Sequence, residues 1–442
     1  MLSAEENRLI TRVGPGTPMG NLLRQYWVPA MLSSELPGPD SDPLRIMLLG
    51  EQLIAFRDTS GKVGLLQNQC PHRGASLFFA RNEEVGLRCV YHGWKFDTTG
   101  QCVDMPNEPA ESNFKTKVRA IAYPCVERAG MVWAYLGPRS EPPPLPHLEG
   151  NMLPDGESSN TAVQRNCNWL QALEGDIDTC HFSFLHGGAL QPEDQQPGTF
   201  SYYILKDRAP RYHLVDTDYG AMYGAYRPAA EGQQYWRVAH WLFPFYTMPP
   251  QGLLGNKANV RCWVPLDDEH TMFFMCSRRL QPGRQQGGGN ERARRGLQGS
   301  GRLTHSADWF GRFQLAANAG NDYQIDRDMQ RRGDSYTGIA GIHLQDQAIT
   351  ESMGTIYDRG HEHLGTSDGM VIRVRRRLIA AARALEQDGT IPPGVDEPQA
   401  YGVRSGGVYL PDGSDWLEAT KDLRKSFLVH EGLDPAITGA IV

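Results

Sequence analysis

Two short stretches each carry one thiol and one imidazole. Residues 70–74 read Cys-Pro-His-Arg-Gly and residues 89–94 read Cys-Val-Tyr-His-Gly-Trp. The set is therefore Cys70-x-His72, a gap of sixteen residues, then Cys89-x-x-His92. Gly74 and Gly93 let the backbone turn tightly around a bulky centre. Two mixed loops suit a two-iron cluster, with both thiolates on one iron and both imidazoles on the other. Structural zinc held by two Cys and two His is the competing account, although zinc fingers usually pair Cys with Cys and His with His. Exchanging two thiolates for neutral imidazoles raises a cluster's reduction potential above that of an all-Cys centre. Such a centre hands electrons on, and the chemistry that uses them belongs elsewhere in the chain.

A second constellation lies in residues 168–186, where Asp178, His181 and His186 stand out. Two imidazoles with one carboxylate make the facial triad that binds ferrous iron and leaves positions open for dioxygen. On a helix Asp178 and His181, three apart, share a face. His181 and His186 are five apart, which leaves about 140° between them at 3.6 residues per turn. Placing His186 at a fraying end, just before Gly187-Gly188, lets its ring swing inward.

These loops need a scaffold. Residues 20–138 read as β-rich, with apolar runs Arg45–Leu49, Leu53–Phe56 and Met131–Leu136 between turn signals. The Pro-rich run from Pro138 cannot continue a sheet or helix, which sets a domain boundary near residue 150: residues 1–150, then 151–442. Beyond it, Trp169–His186 reads as a helix, and Ser201–Leu205, Tyr235–Phe243, Val260–Pro265 and Thr271–Ser277 as strands. Residues 281–302, rich in Gly, Gln and Arg, read as a mobile loop. Met370, Val371, Val374, Leu378, Ile379, Ala382 and Leu385 recur at helical spacing, with Arg373, Arg376 and Arg377 as a wet basic face and Gly389 as the stop. The chain has 442 residues and a net charge of −7, which offers no general attraction to nucleic acid or anionic membrane. No apolar run approaches a membrane span and no secretory leader is visible, so it reads as a cytoplasmic protein. Eight Cys are too few for a disulfide scaffold.

Taken together, the two constellations, in this order, resemble the Rieske non-haem iron oxygenases, specifically the oxygenase component of the phthalate 4,5-dioxygenase type. The resemblance implies an α+β chain: a β-sandwich-like Rieske domain, then a helix-grip catalytic domain with an antiparallel sheet around a long helix. It implies a [2Fe–2S] cluster on Cys70, His72, Cys89 and His92, and mononuclear Fe(II) on His181 and His186. The third iron ligand it draws from the later segment 341–354, assigned here to Asp346 with Glu351 as the alternative. Asp178 then bridges the centres, hydrogen-bonding His181 and, across a subunit boundary, His92. Electrons come from NADH through a separate reductase carrying FMN and a plant-type cluster. A homotrimer, or two stacked rings, lets one subunit's cluster serve its neighbour's iron.

The implied reaction is cis-dihydroxylation of an aromatic carboxylate such as phthalate, chlorobenzoate or phenoxybenzoate. O- or N-demethylation of a methoxyaromatic acid, and a cluster-only electron carrier, are the alternatives. Trp241, Phe243, Phe245, Tyr246 and Met248 are pocket candidates. A substrate carboxylate calls for an Arg able to make a paired contact, with Arg208 leading and Arg227, Arg237 and Arg261 behind it.

Overall fold

The computed structural model describes residues 1–442 except 110, 154, 155, 257, 279–300, 427, 430, 431 and 434–442. Most of the expected mobile loop, residues 281–300, lies outside the described residues; Arg302 forms a bridge with Leu315.

The first unit is built from short antiparallel strands. Trp27–Leu32 pairs with Met131–Tyr135, which pairs with Cys125–Arg128. A second sheet joins Leu44–Leu48, Glu51–Arg57, Val63–Gln67 and Ala122–Tyr123. A third, of Arg81–Glu83, Gly86–Arg88, Lys95–Phe96 and Cys102–Asp104, flanks the two Cys-His loops. The loop of Cys70 follows Val63–Gln67, and that of Cys89 links Gly86–Arg88 to Lys95–Phe96.

The second unit is one eight-stranded antiparallel sheet. Its order runs Ser158–Arg165, Thr271–Arg278, Asn259–Pro265, Tyr246–Met248, Gln233–Leu242, Gly220–Pro228, Arg211–Thr217, and Gly406–Pro411 also pairs with Gln233–Leu242. The long helix Gly369–Asp388 buries Met370, Val371, Val374, Leu378, Ile379 and Ala382, as their spacing predicts. Gly389, in the left-handed region at φ +73°, ends it. This helix packs on the strand Gly220–Pro228 and on the N-terminal helices Ala4–Thr11 and Pro18–Leu23. Ile10, Leu22, Trp27, Trp169, Tyr246 and Val374 belong to one continuous apolar core.

Three local readings are corrected. Ser201–Leu205 is not a strand but part of the helix Phe200–Lys206, because the Thr199 hydroxyl caps it and accepts from the Tyr202 amide. The helix expected over Trp169–His186 stops at Ile177. The basic face of the long helix is largely engaged: Arg377 donates to the Thr217 and Gly220 carbonyls, and Arg373 lies 3.2 Å from Asp216. Only Arg376 of the three is exposed.

Helix Trp169–Ile177 is anchored by a buried charge cluster that sequence pattern does not reveal. Glu174 meets Arg359 at 2.9 Å and Arg375 at 2.6 Å, and Arg375 also pairs with Glu362. Burial alone would raise the Glu174 carboxyl, but the charges and hydrogen bonds of Arg359 and Arg375 outweigh it and hold it below the ordinary glutamate range. With the folded value depressed, its ionic support is complete above the unfolded value and fades as pH falls through the folded one. Glu174→Gln leaves two buried guanidiniums short of an anion, and a loss of about 3–5 kcal/mol is expected in urea unfolding at neutral pH. The difference from wild type should shrink on acidification.

Candidate metal centres

The two Cys-His loops close in the same way. The Gly74 amide donates to the Cys70 carbonyl at 2.9 Å and the Cys70 amide to the Ala75 carbonyl at 2.8 Å. Gly93 donates to the Cys89 carbonyl at 2.9 Å, and Cys89 to the Trp94 carbonyl at 2.8 Å. Gly74 and Gly93 adopt φ +76° and +79°, which side chains resist, and a Cβ on Gly93 would lie 2.6 Å from Pro106.

Cys70 and Cys89 are buried side by side. Burial, with a further contribution from Cys89, pushes the Cys70 thiol up to about 11, so thiolate there calls for a compensating metal charge. The His72 and His92 rings lie 4.4 Å apart, and His72 stacks on Trp94 at 4.2 Å. His72 Nδ1 is buried without a hydrogen-bond partner. The donors are thus sorted, thiol beside thiol and imidazole beside imidazole. Tetrahedral zinc would bring all four within about 4 Å of one another. No three of them approach within 4.8 Å among the described residues, whereas a two-metal cluster fits that separation.

Among the described residues, the ligand atoms of His181, His186 and Asp346 do converge on one point. After Ile177 the chain turns extended at Asp178, whose carboxylate accepts from the Cys180 amide at 2.7 Å and the His181 amide at 3.2 Å. Asp178 thereby closes an Asx-type turn that leads the chain into its next turn. That turn, Phe182–His186, is a π-helix, with the Gly187 amide donating to the Phe182 carbonyl at 2.9 Å. A five-residue repeat brings His181 and His186 to the same side, where a regular helix would splay them. The wide turn replaces the fraying end expected from sequence.

His186 Nε2 lies 3.0 Å from Asp346 Oδ1 and 3.1 Å from His181 Nε2, and His181 Nε2 lies 3.6 Å from Asp346 Oδ1. Ligands about 2.1 Å from one ion at right angles would be about 3 Å apart, so the three suit a facial triad. Both Nδ1 atoms are tied back: His186 Nδ1 to Gln345 Oε1 at 2.7 Å, and His181 Nδ1 to Asp178 Oδ2 at 3.4 Å. Each ring thus keeps its Nε2 lone pair for a metal. Burial opposes protonation of His181, but the hydrogen bond it donates to Asp178 and the charges of Asp178, Asp346 and Asp176 outweigh burial and raise its pKa. Burial would raise Asp346 too, yet His186, His181 and Arg165 hold it down to about 2. The carboxylate is therefore ionised, as a ligand must be.

Gln345, on helix Ile342–Ser352, escaped the sequence reading because a lone amide carries no signal of its own. Its Nε2 donates to the Ile339 carbonyl at 2.8 Å, which fixes Oε1 toward His186. Gln345→Leu should weaken iron binding about 10- to 100-fold, read as iron retained against a chelator. Wild-type retention would deny Gln345 that role.

Glu351 does not join the triad: it accepts from the Asn166 amide, Gln347 and Tyr323. Arg261 is paired with Asp176, which also accepts from Thr247 and Trp263. Arg208 is half-buried on the outer side of the π turn, 5.1 Å over the exposed Phe184 ring. Trp241 and Phe243 pack with tilted rings 4.5 Å apart within the core, where Arg377 covers Phe243. Phe245, Tyr246 and Met248 are likewise core residues.

The chain is similar to known proteins along most of its length. Residues 26–122 match the Rieske [2Fe-2S] domain, and residues 134–435 match the LigXa C-terminal domain like family. The chain is 47% identical over 426 residues to the 3-chlorobenzoate-3,4-dioxygenase oxygenase subunit of Comamonas testosteroni, covering 95% of this chain and 98% of that one. It is 37% identical to the phthalate 4,5-dioxygenase oxygenase subunit of Pseudomonas putida, with 87% of each covered. The fold resembles that of dicamba monooxygenase, at a TM-score of 0.54 and 18% identity, over 83% of this chain and 99% of that one. An enzyme of two iron centres, the chain belongs to the Rieske non-haem iron oxygenases.

Proposed function

We propose that this oxygenase component cis-dihydroxylates an aromatic carboxylate. Its relatives' names support the substrate class, and the observation that carries the chemistry is the His181, His186 and Asp346 triad with both imidazoles tied back at Nδ1. Cys70, His72, Cys89 and His92 hold the cluster, and His181, His186 and Asp346 hold the iron. When bound, that iron supplies dioxygen activation.

The protein's own part is orientation and proton placement. Gln345 and Asp178 keep the Nδ1 protons of His186 and His181, so the opposite nitrogens face the metal. Asp178 also links the centres, through His92 of a neighbouring subunit in a homotrimer or a pair of stacked trimers. The reductase carries FMN and a plant-type cluster, and takes its electrons from NADH. The cluster unit ends near residue 150. No helix among the described residues is long and apolar enough to cross a membrane, and the reading is of a cytoplasmic enzyme.

Oxygen uptake with a panel of aromatic acids, the reductase and NADH tests the proposal. A substrate-dependent uptake yielding a cis-diol supports it. Formaldehyde from a methoxyaromatic acid, with no diol from any acid, would move the reading to demethylation.

A further inference from the structure

Among the buried arginines, Arg24, Arg261, Arg312, Arg359, Arg375 and Arg404 each meet a carboxylate. Arg165, Arg227 and Arg237 meet none among the described residues; Arg165 instead lies 4.8 Å over the Trp263 ring and donates to the Thr350 hydroxyl, which leaves Arg227 and Arg237 as a pair. Arg237 lies opposite Ala225 on paired strands, so Arg227, two residues further along, projects from the same face of the sheet. Arg227 is fully buried and Arg237 is 6% exposed. Arg227 Nε donates to the Asp207 carbonyl at 2.6 Å, while its two Nη atoms have no partner. Arg237 Nη2 makes a long 3.4 Å contact with the Pro250 carbonyl, while its Nε and Nη1 have no partner.

Two buried like charges without an anion are costly: burial, and then the charge of Arg237, lowers the Arg227 pKa to about 10, and burial lowers that of Arg237. The pair also lies close to the iron triad. The Arg237 guanidinium is 5.6 Å from the Phe182 ring and 4.4 Å from Phe200, and Phe182 packs 5.4 Å from His186. One aromatic side chain therefore separates Arg237 from an iron-site imidazole. The four unpartnered nitrogens match the roughly four acceptor positions of a single carboxylate.

We propose that Arg227 and Arg237 together bind the carboxylate of the aromatic acid and so set its distance from the iron. This rests on the substrate class proposed above. Arg208, on the outer side of the turn, does not share this position.

The test uses the holoenzyme, with 3-chlorobenzoate and its neutral amide as probes titrated by tryptophan fluorescence. Arg227→Met and Arg237→Met should each raise Kd for the acid about 10- to 100-fold and leave Kd for the amide unchanged. Because each removes an unpaired buried charge, Tm should hold or rise in both variants. Arg237→Lys, which keeps the charge and loses the planar fork, should bind the acid with intermediate affinity. Acid affinity equal to wild type in both Met variants would overturn this inference alone. So would a lowered Tm with equal loss of acid and amide, which marks a structural role. A wild-type enzyme that binds no aromatic acid would overturn the substrate class as well.

Discussion

Asp346→Ala keeps its sulfide and loses its mononuclear iron. The ratio of iron to acid-labile sulfide is expected to fall from about three to two toward one to one. The reason is geometric: Asp346 Oδ1 is the carboxylate donor of the triad, 3.0 Å from one imidazole and 3.6 Å from the other. Without it the remaining pair carries no negative charge to offset a divalent ion. Oxygen-dependent turnover should fall by about a thousandfold or more, equivalent to about 4 kcal/mol. The cluster's visible absorption should remain, because its loops lie on another sheet. Retained mononuclear iron with full turnover would reassign the third ligand, and Glu351, held by Asn166, Gln347 and Tyr323, is badly placed to inherit it.

Cys89→Ala is the complementary lesion. It removes one of two adjacent thiols, and the Cys70 thiol left behind in an apolar setting has no neighbour with which to share an iron. The sample should be colourless, with sulfide absent and the mononuclear iron still bound. NADH-driven turnover should fall below detection, while binding of an aromatic acid stays within about twofold of wild type. Dithionite bleaching of a colour that survives the substitution would remove Cys89 from the cluster. The two variants sort electron delivery from oxygen chemistry because each spares the other's donors.

The cluster loops were legible because Cys and His are uncommon residues and their spacing within each loop is short. The histidines of the second centre were legible as residues but not as geometry. Periodicity assumes a regular helix, and the π turn of Phe182–His186 breaks that assumption. Asp346 stands far along the chain from either histidine, and only family resemblance pointed to it. The arginines failed for another reason. The strands Gly220–Pro228 and Gln233–Leu242 are buried over most of their length on both faces, so alternation gave no inside or outside. Which arginine has a carboxylate beside it is a tertiary fact: Arg261 has Asp176, whereas among the described residues Arg237 meets aromatic rings and a carbonyl. The same holds for Arg375, buried against Glu174 on the flank of a helix whose other arginines drew attention first.

The helices Ala4–Thr11 and Pro18–Leu23 lie on Gly369–Asp388, close to the opposite end of the described chain. During synthesis Ile10, Leu22 and Leu23 reach full burial only when this late helix, more than three hundred residues further on, has left the ribosome. Early misassembly is then the hazard, and a chaperone that shields the nascent amino-terminal segment should raise the soluble yield more than slower expression does.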